Sequence, residues 1–346
     1  MANVNFPELR RVAALDGLRA FAVIAVFLFH AFPAHFVGGF LGVDLFFVLS
    51  GYVISSSLIA KKIDLRAFYL HRAFRILPPI VPVIAFALAT GLSGLGIASL
   101  ADIAYAVASI MNFARIYEWT TGAGLGHFWS LSVEEQFYLL WPVSLLLILK
   151  NSRPARILAV VVFFLLILQI ARALTGADVL TLYNGLDTRA PQLLLGCLLA
   201  LTSIRIDLSR LWPILTIIWL LAICTIQFDS WFYLSFGMGS VALLAAATIK
   251  LCVDANTPLH SFLENSVVQW AGSRSYAIYL WHYPLFVFAS KLPNHDHFSE
   301  TSTALVVFFA TCCASELSYR FVETPARHLR NRIEARGQAR RLSLMD

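Results

Sequence analysis

Arg19 and His30 lie eleven residues apart with only apolar side chains between them. Eleven steps of ~100° return an α-helix to within ~20° of its starting azimuth, after ~16 Å of rise. A guanidinium and an imidazole therefore share one helix face, at depths separated by roughly half a hydrocarbon core. Ionisable groups inside a membrane segment are costly and face protein or water, so each is a functional candidate. The chemistry to look for needs a cation near one membrane surface and an imidazole near the other.

Further polar residues extend that pair. Arg72 and Arg75 are three apart on one helix face, with His71 as a third donor beside them. Guanidinium forks match phosphate oxygens, and two on one face suit a diphosphate. The competing reading is flanking positive charge with snorkelling side chains. Pro78-Pro79, directly after, place the start of the next helix there and limit snorkelling. Asp44 sits within the apolar run Gly38-Gly-Phe-Leu-Gly-Val-Asp-Leu-Phe-Phe-Val-Leu-Ser-Gly51. Its glycines permit close backbone approach to a neighbouring helix or to a ligand. An unpaired carboxylate at Asp44 is costly, so an arginine or histidine partner is expected.

The stretch His127-Phe-Trp-Ser-Leu-Ser-Val-Glu-Glu-Gln136 carries two adjacent carboxylates. Glu134 and Glu135 are ~100° apart on a helix and cannot both face one point. One is expected to orient or polarise the site while the other pairs elsewhere. A histidine beside a carboxylate is the usual arrangement for general base work, the carboxylate fixing the tautomer. His30, His127, Glu134 and Glu135 are thus expected to meet in one cavity, with Ser130, Ser132, Asp44 and His282 as candidate lining residues. A lone intramembrane histidine such as His282 reads equally as a packed structural residue. Asp187 and Arg189, at the mouth of the sixth crossing, and Glu316 and Glu323, in the last helix, are open in the same way.

The elements that position these residues follow from composition. Of 346 residues, 59% are hydrophobic and 13% charged, and the mean hydropathy is +0.74. Soluble domains run nearer half apolar and a quarter charged, so the chain reads as an all-α polytopic membrane bundle. The net charge of +6 gathers in short loops and the final tail, which topology explains better than nucleic-acid binding does. Cys197, Cys224, Cys252, Cys312 and Cys313 lie within or beside apolar segments with no metal-ligand spacing. They read as buried small hydrophobes. Arg19 inside the first apolar run favours a retained first helix over a cleaved signal peptide.

Ten segments are long enough to cross, near 14–33, 40–60, 76–98, 128–149, 157–173, 188–204, 211–228, 234–252, 272–291 and 302–322. An eleventh, 101–114, is short and interrupted by Asn112. Arg10 and Arg11, the Lys61–Arg75, Lys150–Arg156 and Arg205–Arg210 loops, and the Arg327–Arg341 tail should all face the cytoplasm. Ten crossings with both termini inside satisfy every one of them, which makes 101–114 re-entrant or interfacial. Arg19 then lies near the cytoplasmic side and His30 near the outer side. No internal repeat or linker divides the chain, so residues 1–346 form one domain, with 1–12 a cytoplasmic N-terminus and 324–346 a basic cytoplasmic tail.

Five motifs in order resemble the acyltransferase 3 family. They are Leu15-Asp-Gly-Leu-Arg-Ala20 with His30, Gly39–Gly51, Arg72-Ala-Phe-Arg75, Phe128-Trp-Ser-Leu-Ser-Val-Glu-Glu-Gln-Phe-Tyr138 and Ser275-Tyr-Ala-Ile-Tyr-Leu-Trp-His-Tyr-Pro-Leu285. The resemblance runs from about residue 12 to 327. It implies a bacterial inner-membrane enzyme moving an acyl group, commonly acetyl, from cytoplasmic acyl-CoA to hydroxyls of exported or lipid-linked glycans, such as lipopolysaccharide or exopolysaccharide. It also implies that Arg19 and His30 form an essential pair and that Arg72 and Arg75 contact the nucleotide of the donor. Some family members carry an additional extracytoplasmic hydrolase-like domain. Here acceptor handling is expected to fall to membrane helices and short loops.

The resulting expectation is a transmembrane acyltransferase with acyl-CoA, a glycan acceptor and membrane lipids as partners, and no metal or permanently bound cofactor. The coenzyme A diphosphate would meet Arg72 and Arg75, Arg19 would line the thioester channel, and His30 would deprotonate the acceptor hydroxyl. Glu134 or Glu135 would orient His30, and a covalent acyl-histidine is a second route. The rival class is a proton-coupled transporter, which uses similar intramembrane His, Glu and Arg relays. That class predicts matching repeats, and the sequence has none.

Overall fold

A computed structural model describes residues 13–60, 63–120, 123–202, 206–293 and 295–342. Among them there are helices and connecting turns but no strand. Arg10, Arg11, Lys61, Arg205 and the last four residues lie outside the described residues. In chain order the helices are α1 (Ala13–Ala31), α2 (Leu41–Ala60), α3 (Leu65–Leu92), α4 (Leu100–Val107), α5 (Met111–Ile116), α6 (Phe128–Leu149), α7 (Pro154–Leu174) and α8 (Val179–Asn184). There follow α9 (Leu186–Leu201), α10 (Trp212–Thr225), α11 (Met238–Asp254), α12 (Pro258–Leu263), α13 (Ser266–Ser273), α14 (Ser275–Ser290), α15 (Glu300–Ser318) and α16 (Thr324–Leu342).

Seven helical runs are long and apolar enough to cross a membrane: α1, α2, α3, α6, α7, Tyr233–Asp254 and Glu300–Arg336. A π-helical turn, Tyr233–Gly237, opens the sixth run. Another, Tyr319–Glu323, joins α15 to α16. The three other expected segments form α9, α10 and α14, of 16, 14 and 16 residues. Outward faces of α7, α10 and α15 present Phe163, Phe164, Ile217, Leu221, Val306 and Phe309, the surface a helix shows to hydrocarbon.

Two expected boundaries are corrected. The third helix starts at Leu65, not after Pro78-Pro79. Asp64 caps it by accepting from the Ala67 amide at 3.0 Å, and the helix runs on through Pro78, Pro79 and Pro82. Proline removes a backbone donor but is tolerated where neighbouring helices re-satisfy the turn. The Tyr276 hydroxyl of α14 also donates to the Ile76 carbonyl at 3.1 Å, tying the two helices together beside the prolines. Arg72 and Arg75 therefore sit within a continuous helix. The 101–114 segment is two short helices, α4 and α5, neither able to cross. They break at Ser109, whose φ is 56°, while Asn112 is buried inside α5.

The core gathers around α2, which meets α1, α6, α9 and α11. The α2–α9 crossing is close on both sides. A Cβ on Gly51 would overlap the Leu193 carbonyl, and one on Gly196 would overlap the Val48 carbonyl. The glycines of the second segment thus serve a neighbouring helix. Cys197 and Cys252 are buried as expected, whereas Cys224 and Cys313 lie on the exterior, and all five are free thiols.

Candidate functional site

Both expected poles of α1 are occupied by polar structure. At the Arg19 end, α1, α2, α3, α6 and α14 line one cavity. Arg19, Arg72 and Arg75 line it together with Glu134, Glu135, Ser130, Tyr276 and Tyr279. Each guanidinium has its own support. Arg19 pairs with Asp16 one turn earlier. Arg72 lies over the Tyr138 ring at 4.9 Å and the Phe68 ring at 5.6 Å, a cation–π cradle that holds it without a carboxylate. Its Nε is buried with no partner. Glu134 accepts from the Ser50 hydroxyl at 2.7 Å, and Glu135 is bonded by Ser109. With Arg19 paired to Asp16 and both glutamates engaged by serines, Arg72 and Arg75 are the guanidinium groups this lining offers an anionic ligand. His71 is not a third donor here, because its Nε2 lies 2.6 Å from Glu334 of α16.

The His30 end has a different chemistry. His30 Nδ1 bonds the Val26 carbonyl at 2.9 Å. Its ring meets His282 at 5.1 Å and Tyr283 at 4.8 Å between centroids. His282 in turn meets His127 at 5.5 Å. Ser130 and Tyr279 join the two ends: their hydroxyls are 2.6 Å apart, both line the cavity, and the Tyr279 ring meets His127 and His282.

This arrangement corrects the expected carboxylate–histidine pair. Glu134 and Glu135 belong to the arginine-lined cavity, and the partner of His30 Nδ1 is a backbone carbonyl. The cause is helix phase and depth: α6 carries Glu134 two turns beyond His127, towards Arg72. Ser132 is also off the cavity. It donates to the Phe128 carbonyl at 3.0 Å and accepts from the Met111 amide at 3.1 Å, fixing α5 to α6.

Asp44 has the arginine partner its burial demanded, but as part of the core. Arg189 Nη1 donates to it at 3.0 Å, Gln192 at 2.7 Å and the Tyr233 hydroxyl at 2.9 Å. Asp44 and Arg189 are both 0% exposed, so Arg189 is not a residue of an open mouth. Asp187 pairs with Arg172 instead. Glu316 binds Arg274, Trp270 and Arg320, and Glu323 lies 3.6 Å from Arg327. Among the described residues no group of three His, Cys, Asp or Glu side chains is placed to hold a metal ion.

Sequence reasoning missed Ser50, Tyr138, Tyr276 and Tyr279. A signal was available: Tyr276, Tyr279 and His282 recur at three-residue spacing, a polar stripe on one face of an apolar helix.

The described residues thus form a helical bundle, with helices apolar enough to cross a membrane, that carries an arginine-lined cavity at one pole and a histidine cluster at the other. Residues 12–320 match the acyltransferase domain, and the chain belongs to the acyltransferase 3 family. It is 33% identical to the O-acetyltransferase OatA of Staphylococcus aureus, over 92% of this chain and 57% of that protein. It is likewise 33% identical to the peptidoglycan O-acetyltransferase OatA of Listeria monocytogenes, over 91% of this chain and 56% of that protein. The chain thus spans little more than half the length of these curated relatives. No solved structure matches it. Family membership removes the grounds for a transporter.

Proposed function

We propose that the protein is a multi-pass O-acetyltransferase of a bacterial cytoplasmic membrane. It moves an acetyl group from cytoplasmic acetyl-CoA to a hydroxyl of a glycan or lipid-linked carbohydrate at the outer side. The observation that carries this reading is the polarity of α1, with three arginines gathered around Arg19 and the histidine cluster around His30. The ~16 Å of helix rise between them suits an extended pantetheine arm. In this reading the donor diphosphate binds Arg72 and Arg75, Arg19 lines the thioester path, and His30 deprotonates the acceptor hydroxyl as it attacks the thioester carbonyl. Glu134, held by Ser50 beside the arginines, orders the donor end. The names of the relatives favour a cell-wall glycan as acceptor over lipopolysaccharide.

Ten crossings accommodate the reading, with α9 and α14 as short spans packed among longer helices, α10 as a short span with an exposed apolar face, and the arginine-lined cavity facing the cytoplasm. The experiment is transfer from radiolabelled acetyl-CoA by purified protein in nanodiscs supplied with peptidoglycan fragments. Acetyl-CoA-dependent labelling that His30→Ala removes is the expected result. A wild-type protein that neither binds nor consumes acetyl-CoA would overturn the reading.

A further inference from the structure

The histidine cluster has a proton arrangement that its hydrogen bonds determine. A neutral imidazole has one N–H and one lone-pair nitrogen, and a carbonyl can only accept. Each ring nitrogen bonded to a carbonyl must therefore carry the hydrogen. His30 Nδ1 donates to Val26 at 2.9 Å. His282 Nδ1 donates to Tyr279 at 2.6 Å, and His127 Nε2 to Leu280 at 3.2 Å. The bare nitrogens are then His30 Nε2, His282 Nε2 and His127 Nδ1. The last two are buried and meet no donor at all. Buried polar atoms nearly always have partners, so two orphaned lone pairs beside the proposed base call for a proton.

The surroundings sharpen that demand. Phe27 and Phe286 close the cluster on one side. The ionisable groups that face it are Arg115 of α5 and Tyr279 and Tyr283 of α14. Among the described residues no carboxylate is one of them, so none of these groups supplies an anion to stabilise an imidazolium on His30. Nor can the Val26 carbonyl take a proton from Nδ1. A proton gained at Nε2 must leave from Nε2. The ring at hand is His282, in edge contact with His30 at 5.1 Å between centroids, with a buried Nε2 that no other group occupies.

We propose that His282, backed by His127, is the second station for the proton that His30 removes from the acceptor, replacing the carboxylate that a histidine base ordinarily has. This rests on the acyltransferase reading above. The acceptor O–H breaks as His30 Nε2 takes the proton, which passes to the bare Nε2 of His282. The acceptor oxygen bonds to the acyl carbon and the C–S bond breaks, its electron pair going to sulfur. The proton returns through His30 to the thiolate, so no net proton is consumed. His282 acts through His30 and is a positioning and relay residue.

The test compares His282→Asn, His282→Gln and His282→Ala in nanodiscs, reading coenzyme A thiol release from acetyl-CoA with peptidoglycan fragments as acceptor. Asparagine can restore the bond to the Tyr279 carbonyl but supplies no basic nitrogen. A purely structural histidine predicts that Asn works within about twofold of wild type, and that result overturns the proposal. The relay predicts a fall in kcat of about 10²-fold for all three variants, with the KM for acetyl-CoA unchanged. In His282→Ala, added imidazole should restore the rate while pyrazole, of the same shape but far less basic, should not. Equal rescue by both also overturns it. If His30→Ala retains activity, the acyltransferase mechanism itself fails, a separate outcome.

Discussion

Replacing Arg72 probes the donor end directly. Its guanidinium lies over Tyr138 and Phe68 with Nε buried and unpartnered, so the cavity already holds an arginine with unspent hydrogen-bonding capacity. A charge-assisted hydrogen bond to the donor diphosphate contributes about 1.5–3 kcal/mol. Since each 1.4 kcal/mol is tenfold in affinity, Arg72→Ala should weaken acetyl-CoA binding by roughly 10- to 150-fold. Arg75→Ala should do the same from the next turn of α3. Arg72→Lys should recover only part, because an ammonium keeps the charge and some cation–π contact but not the fork. The assay is calorimetric titration of each nanodisc-embedded variant with acetyl-CoA, with thermal unfolding as a control on folding. Affinities within twofold of wild type in both alanine variants would refute the assignment of this cavity to the donor.

The other predictions separate core from site. Arg189→Met leaves Asp44 as a buried carboxylate without its cation and should cost about 3–5 kcal/mol of stability, read as a large drop in Tm. Adding Asp44→Asn should recover much of it, and an unchanged Tm in the single variant would contradict the network's role. Glu134→Gln should raise the KM for acetyl-CoA, since Glu134 sits with Ser50 beside the arginines. Glu135→Gln should change it less than twofold, because that carboxylate is engaged by Ser109, and equal, mild phenotypes would remove both from the donor site.

Much of this architecture was legible in the sequence because hydropathy dictates it. Each of the ten apolar segments is helical, and α1 carries Arg19 and His30 as the eleven-residue spacing predicts. Burial cost likewise announced a cation for Asp44. What the sequence hid were choices between tertiary partners. Arg189 looked like a mouth residue because nothing local shows that α9 crosses α2 through Gly51 and Gly196. Glu134 or Glu135 was expected beside His30, whereas α6 delivers both to the arginine-lined cavity. Pro78-Pro79 read as a helix start, whereas the helix begins at the Asp64 cap and runs on through both prolines. The tyrosines were passed over because attention to charge misses hydroxyls on an apolar helix.

In the proposed function the two ends of α1 face opposite sides of the membrane and the acyl group passes from one to the other. Sealed vesicles with a single protein orientation, radiolabelled acetyl-CoA confined to the face bearing Arg72 and Arg75, and glycan acceptor confined to the other test it most directly. The expected result is labelled acceptor across the membrane, coenzyme A retained on the donor side, and less than about a tenth of that transfer with His30→Ala. Labelling only when donor and acceptor share a side, or undiminished transfer without His30, would contradict it.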